Sequence, residues 1–425
     1  MRIMVVGAGG REHAIIRKIA QNKKVGKIFA LPGNGGIAAD AECVPIDAAD
    51  IGGITAFAVK ERVDFAVVAP DDPLVAGAVD ELSAAGIPCF GPDKKAAIIE
   101  GSKIFAKDLM KKYGIPTAGY ATFDSVDAAD AYIDNADAPI VVKADGLALG
   151  KGVIIAQTRE EAKKAVHDMM EGGLFGGSGK RVVIEEYLEG PEVSVLAFTD
   201  GKTIKPMVSS MDHKRALDGD RGLNTGGMGT IAPNPYYTEE IAARCTEEIF
   251  VPTVRAMNAE GRTFRGCLYF GLMLTDRGPK VIEYNCRFGD PEAQVVLPLL
   301  ESDLLEIMIA VHNGTLEQTE VKFSGGHACC VIAASKGYPE KYEKGFEITL
   351  PDYRAPGTEI YFAGAKLSDG KLVTSGGRVL GAVSTGGTLE AAVSGAYGLI
   401  KTISFENMFY RNDIGGRALK AVKTR

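Results

Sequence analysis

The chain has 425 residues, 46% hydrophobic and 24% charged, which is the balance of a folded globular protein long enough for three or four cores. Lys plus Arg is 48 and Asp plus Glu is 55, and the resulting net charge of −7 argues against broad binding to nucleic acid or to an anionic membrane surface. The seven cysteines form no Cys-x-x-Cys pair, so buried reduced thiols are expected in place of zinc ligands or disulfides.

Residues 1–7 run straight into a strand and a turn, and no apolar run is long enough to span a bilayer; a cytoplasmic protein is expected. Apolar runs at 3–6, 27–31, 65–69 and 88–91 read as strands, with helices at 14–21, 51–61 and 75–85 between them. That alternation predicts parallel strands joined by right-handed crossovers, an open α/β domain over 1–101. A helix over 102–113, capped by Ser102 and stopped by Gly114-Ile115-Pro116, opens a second, α+β unit over 102–325. Within it, 118–188 reads as a small subdomain of strand, helix and glycine-rich hairpin. Short strands with Gly-Gly turns predict a third, β-rich domain over 326–425.

Gly7-Ala8-Gly9-Gly10-Arg11-Glu12-His13 follows a strand and opens a helix, so its N–H groups suit one phosphate, with Arg11 adding charge. It is not a dinucleotide fingerprint. Glu12 stands at the third glycine position, and Leu31-Pro32-Gly33-Asn34 offers no acid to ribose hydroxyls. The stretch from Gly146 to Gly152 lies between two apolar strands as a hairpin tip able to close over phosphates, with Lys143 on the rigid strand. Neither it nor the stretch from Gly176 to Arg181 has Walker A spacing. An apolar strand then runs into Glu185, Glu186 and a Gly-Pro turn, able to face an adenine edge, with Glu192 beyond it for ribose hydroxyls. Ser209-Ser210-Met211-Asp212-His213-Lys214-Arg215 is a cluster of donors and charges. His213 within it reads more readily as a hydrogen-bonding residue than as a base. The strongest signal is Glu283 and Asn285, two apart on a strand and therefore on one face, a pair suited to Mg²⁺ that shares nucleotide phosphates. Arg287 follows on the same side, suited to a carboxylate or phosphate.

Together these stretches resemble the ATP-grasp superfamily and, within it, the glycinamide ribonucleotide synthetase (phosphoribosylamine–glycine ligase) family. The resemblance covers essentially the whole chain. It rests on the turn at 7–14, Pro32-Gly33-Asn34-Gly35, the 143–152 hairpin, Asp212-His213-Lys214-Arg215, Asn224-Thr225-Gly226-Gly227-Met228-Gly229 and Arg287-Phe288-Gly289-Asp290-Pro291-Glu292. Tyr410-Arg411-Asn412-Asp413-Ile414-Gly415 looks like the family's closing motif.

The resemblance implies an ATP-grasp core with a mobile lid, and ligation of glycine to 5-phosphoribosylamine in de novo purine biosynthesis. Glycinamide ribonucleotide, ADP and phosphate would form by way of glycyl phosphate. It implies Lys103 and Lys143 on the nucleotide phosphates under a hairpin that includes Gly150 and Gly152, Glu185 and Leu188 at adenine, and Glu192 at ribose. It implies Mg²⁺ or Mn²⁺ on Glu283 and Asn285, and the phosphoribosyl group on Gly9, Gly10, Arg11, Gly33 and Asn34. Asp212, Lys214 and Arg287 would act on glycine and the acyl phosphate, with Asn224, Thr225, Ser210 and Asp290 also binding substrate. A monomer or weak homodimer is implied, with no nucleic-acid or membrane partner. The family's Gly-Pro-Glu-Ala-Pro-Leu reads Ala69-Pro70-Asp71-Asp72-Pro73-Leu74 here, so Asp71 and Asp72 are given no role. Three rivals are weaker. Another ATP-grasp ligase would lack the Arg-Phe-Gly-Asp-Pro-Glu run, a non-catalytic regulator has no need of the metal pair, and a dehydrogenase needs an unbroken fingerprint.

Overall fold

The computed structural model describes residues 1–147, 152–172, 176–353 and 355–423. Five parallel strands form the first sheet, in the order Glu42–Cys43, Lys27–Pro32, Arg2–Gly7, Phe65–Val68, Cys89–Phe90. The central strand is a continuous apolar run because helices cover both faces of the sheet and leave its side chains no water. Two local expectations shift. The first helix starts at Gly10, a turn earlier than predicted, directly on the glycine turn. The predicted helix at 75–85 is two helices, Asp71–Ala76 and Ala78–Ala84, divided at Gly77, whose φ of +106° belongs to the left-handed region glycine tolerates.

The helix Lys103–Tyr113 is bounded as predicted: Ser102 accepts from the Phe105 N–H and Gly114 closes it at φ +68°. Beyond it, four antiparallel strands, in the order Tyr120–Phe123, Val182–Glu186, Ile140–Ala144, Val153–Ala156, pack helices Val126–Ile133 and Arg159–Met170 over a small core of their own. A second antiparallel sheet follows, ordered Ile204–Pro206, Glu192–Thr199, Gly266–Thr275, Gly278–Asn285.

The last sheet takes strands from both sides of residue 326. Met211–Asp212 and Gly229–Ala232 pair onto His327–Ser335, Arg378–Gly386 and Thr358–Phe362, with Met408–Phe409 on the same sheet. The helix Leu389–Ile400 packs against it, so the C-terminal region is β-rich with a helical cover. One hydrophobic cluster runs from the N-terminal sheet through helices Ala293–Leu299 and Leu304–Asn313 into the C-terminal sheet. Six of the seven cysteines are buried, Cys43 is half-buried, and all are free thiols. Among the described residues no helix is long and apolar enough to cross a membrane.

Candidate active site

Where the small four-stranded subdomain meets the second antiparallel sheet, Lys103, Lys143 and Lys214 gather around Glu283. Lys143 projects from the strand Ile140–Ala144, buried, with its Nζ donating to the Ile282 carbonyl at 3.0 Å and pairing with Glu185 at 2.9 Å. The Ile282 carbonyl is available because the pairing register of Gly266–Thr275 with Gly278–Asn285 slips between Gly271 and Leu272, which leaves Ile282 opposite no partner. Glu185 is pinned from the other side by Lys107, at 2.9 Å. Lys103, four residues before Lys107 and hence on the same helix face, donates to the Gly146 carbonyl at 2.8 Å, at the base of the hairpin. Burial lowers the pKa of Lys103 and brings Lys107 down to about 8. Gly152 is buried at the hairpin's far side, its carbonyl accepting from Ala144; Gly150 lies outside the described residues. Leu188 is half-buried in the turn after the strand, and Glu192 is exposed beyond it.

Glu283 and Asn285 stand on one face of Gly278–Asn285, past the irregular pairing. Against the cost of burial, the charges of Lys214, Lys143 and Lys103 hold Glu283 below the usual carboxylate range. An ionised carboxylate and an amide side by side are a hard-oxygen donor set, which fits Mg²⁺ or Mn²⁺. The Asn285 amide donates to the Tyr284 carbonyl at 2.8 Å, which orients the side chain. Lys214 lies between Glu192 at 3.1 Å and Glu283 at 3.7 Å, about one third exposed; burial opposes its charge, but these carboxylates hold it above the usual lysine range.

Asp212 and Glu292 supply acidity beside that lysine. Burial raises Glu292, and burial together with the neighbouring Glu292 raises Asp212 well above the carboxylate range. Glu292 accepts from Tyr269 at 3.2 Å and from Ser194 at 3.4 Å. Gly227 is confined against this pair: at φ +110°, an added Cβ would lie 2.7 Å from Asp212 Oδ1 and 2.5 Å from Pro291. Ser210 is buried and pairs its backbone with Ser194. Asn224 ends a hairpin strand, and the Thr225 N–H and hydroxyl both donate to the Lys214 carbonyl at 2.8 Å. His213 has both ring nitrogens engaged, with Gly229 O at 3.1 Å and the Gly415 N–H at 3.2 Å, and burial holds its pKa down at about 4.

Arg287 meets an acid the sequence reading passed over. Its Nη2 donates to Glu100 at 2.9 Å, Glu100 also accepts from the Cys286 N–H at 2.7 Å, and the Arg287 Nε is buried without a partner. Burial opposes the charge on Arg287, but Glu100 and Asp71 hold its pKa above the usual guanidinium value. Asp71 faces the same arginines: against burial, Arg287 and Arg11 hold it below the carboxylate range.

The N-terminal turn is occupied from within. The Gly9 N–H donates to Glu12 Oε2 at 2.6 Å, and Arg11 turns inward to Glu12 at 2.6 Å and the Phe288 carbonyl at 3.0 Å. Asp290 accepts from Arg11 N at 3.4 Å and from Gln294 at 2.8 Å, and pairs with Arg378 at 3.3 Å. A Cβ on Gly10 would meet Gln294 at 2.5 Å. Gly33, at φ +69°, lets Asn34 donate to the Ala8 and Phe362 carbonyls and accept from the Gly36 and Ile37 N–H groups, all at 2.8–2.9 Å. Asn34 thus fastens the first sheet to the last.

Sequence reasoning named the strand residues and missed four partners: Glu100, Lys107, Glu292 and Arg378. Lys107 was signalled by its spacing from Lys103, and Glu100 by an acid ending the apolar run Ala96-Ala97-Ile98-Ile99. Nothing local signalled Arg378, which reaches Asp290 only through the fold.

Descriptions of phosphoribosylglycinamide synthetase match along the chain: the N domain at 1–100, the ATP-grasp (A) domain at 101–293 and the C domain at 328–417. A phosphoribosylamine–glycine ligase from Vibrio parahaemolyticus is 48% identical over 423 residues, covering 99% of each chain. The crystal structure of the phosphoribosylamine–glycine ligase from Thermotoga maritima superposes with a TM-score of 0.87 at 38% identity, covering 97% of this chain and all of that one. A biotin carboxylase domain from Hydrogenobacter thermophilus, solved with MgADP and bicarbonate, shares the fold at a TM-score of 0.74 and 16% identity, over 96% of this chain and 91% of that one.

Proposed function

The chain belongs to the phosphoribosylglycinamide synthetase family, and on that premise we propose which of its residues carry each part of the reaction. It is an ATP-grasp ligase that joins phosphoribosylamine to glycine in purine biosynthesis. The supporting observation is Glu283, ionised among Lys103, Lys143 and Lys214 and beside Asn285: a carboxylate ringed by cations is a seat for a metal–triphosphate. Lys103 and Lys143 bind the phosphates, Glu185 and Leu188 flank adenine, and Glu192 takes the ribose. Gly150 and Gly152 are the remaining nucleotide-binding residues. Glu283 and Asn285 would hold Mg²⁺ or Mn²⁺, whose charge would offset that of the phosphates.

The glycine carboxylate attacks the γ-phosphate, giving ADP and glycyl phosphate. The amine of phosphoribosylamine then attacks the acyl carbon, phosphate leaves with the bonding electrons, and the amide of glycinamide ribonucleotide remains. No side-chain nucleophile is needed. Asp212, Lys214 and Arg287, with Asn224, Thr225, Ser210 and Asp290, orient glycine and the acyl phosphate. Catalysis is positioning, charge neutralisation and exclusion of water. Gly9, Gly10, Arg11, Gly33 and Asn34 form the floor on the phosphoribosyl side. The functional units are 1–101, 102–325 with a lid at 118–188, and 326–425, in a cytoplasmic monomer or weak homodimer.

The test is ADP release from ATP, Mg²⁺, glycine and fresh phosphoribosylamine, with each omitted in turn. Release is expected to need both glycine and the amine. Hydroxylamine in place of the amine should yield glycine hydroxamate, and its absence would remove glycyl phosphate from the scheme. Release with another acid in place of glycine would discard the substrate assignment.

A further inference from the structure

The closing motif at 410–415 spends its polar groups on one segment, 213–220. Arg411 is 1% exposed; its Nε and Nη2 grip the two Asp413 oxygens at 2.8 Å each, its Nη2 pairs with Asp220 at 3.0 Å, and its Nη1 donates to the Arg215 carbonyl at 3.0 Å. Asp413 Oδ2 also accepts from the Gly219 N–H at 2.8 Å. Asn412 donates through its backbone and side-chain amides to Asp218 at 2.8 and 3.1 Å, and the Gly415 N–H donates to His213. The motif is itself fastened to the helix Leu389–Ile400, since the Tyr397 hydroxyl donates to the Arg411 carbonyl at 2.8 Å and accepts from the Ile414 N–H at 2.9 Å.

The segment so gripped is a two-stranded hairpin, Arg215–Leu217 with Arg221–Asn224, that pairs with no other strand among the described residues. Leu217 and Leu223 are each 50% exposed, and of its strand residues Ala216 alone is buried. Apolar burial therefore contributes little to its placement, and a lone hairpin is marginal in water. What fixes it is the fork on Arg411, a charge-assisted arrangement with defined angles. Lys214 enters this hairpin and Thr225 leaves it, joined at its base by the two Thr225 bonds to the Lys214 carbonyl.

We propose that Arg411 and Asp413 are positioning residues for the glycine subsite: from the far side of the hairpin they set where Lys214, Asn224 and Thr225 present their groups to glycine. This rests on the reading above that puts glycine at those three residues. The nucleotide lysines Lys103 and Lys143 lie on other elements.

The experiment compares Asp413→Asn, which keeps shape, and Arg411→Lys, which keeps charge but loses the fork, with Lys214→Met. KM for glycine, ATP and the amine is measured, together with the rate of tryptic cleavage after Arg215 and Arg221. Both clamp variants are expected to raise the glycine KM about tenfold or more, leave the ATP KM within about twofold, and speed cleavage of the hairpin. A glycine KM within about twofold of the parent, in a variant that melts normally, overturns the proposal if Lys214→Met does raise it. If all three KM values rise together with a lowered melting temperature, the clamp is a general stability element and the proposal also falls. If Lys214→Met itself leaves the glycine KM unchanged, the glycine placement is wrong and the clamp's role goes with it.

Discussion

The lysine cluster around Glu283 and the N-terminal glycine turn both set charge beside glycines, yet they hold it differently. In the cluster, Lys103, Lys143 and Lys214 all bear on Glu283, while Lys143 also pairs with Glu185 and Lys214 with Glu192. At the turn, the Gly9 N–H, Arg11 and Asn34 already have protein partners. A glycine turn can exist to let side chains of its own protein approach the backbone, as Glu12 and Gln294 do here. Charge converging from separate elements, more than glycine content, marks where a ligand completes the structure.

The sharpest way to break this contrast is Glu283→Ala. Turnover at saturating Mg²⁺ is expected to fall about a thousandfold or more with the fold retained, measured by ADP release and thermal melting. Near-normal turnover would end the metal assignment. Next, Lys143→Met should raise the ATP KM about a hundredfold, because it removes a phosphate ligand and leaves Glu185 to Lys107 alone. On the other side of the contrast, Arg11→Met should cost about 2 kcal/mol in urea unfolding while the ATP KM stays put, since the Phe288 carbonyl and Glu12 lose a buried donor. Unchanged stability with a weakened amine KM would reverse the reading of the turn.

The smallest effect is in pH. His13 accepts from the Phe362 N–H at its Nδ1, leaving Nε2–H to donate to Asp40 at 2.8 Å. Burial, partly offset by Asp40, lowers the His13 pKa from 6.5. The unfolded chain therefore binds the proton first, and stability should decline as pH falls below about 6.5. Asp40 adds no slope there: despite burial, His13 and Arg17 hold it at about 2, so its contribution is lost only in strong acid. A urea midpoint that drops between pH 7.5 and 5.5 in the parent, and drops less in His13→Gln, is the expected result.

The fold was legible where periodicity was long. The parallel strands, the helix Lys103–Tyr113 and the hairpin strands around Lys143 stand where apolar spacing put them. The two-residue strand Glu42–Cys43 carries too few residues for a pattern, and Gly77 hid a helix break inside a continuous apolar stripe. The strand pair Glu283 and Asn285 was readable because a strand alone decides which side chains share a face. Glu292 and Arg378 were not, because contacts 98 and 88 residues away place them, and Glu100 left only an acid at the end of an apolar run, with its arginine 187 residues on.

The last sheet has a consequence for how the polypeptide is made and how it can be divided. Gly229–Ala232 lies between Met211–Asp212 and His327–Ser335, so four of its six paired residues are synthesised about a hundred residues later. On the ribosome that strand waits with one edge open until the final quarter of the chain emerges. A gene split near residue 325 would yield two fragments that each expose a raw sheet edge, and they would need each other before either could rest. The loop that leads into Lys214 therefore takes shape only in the finished chain.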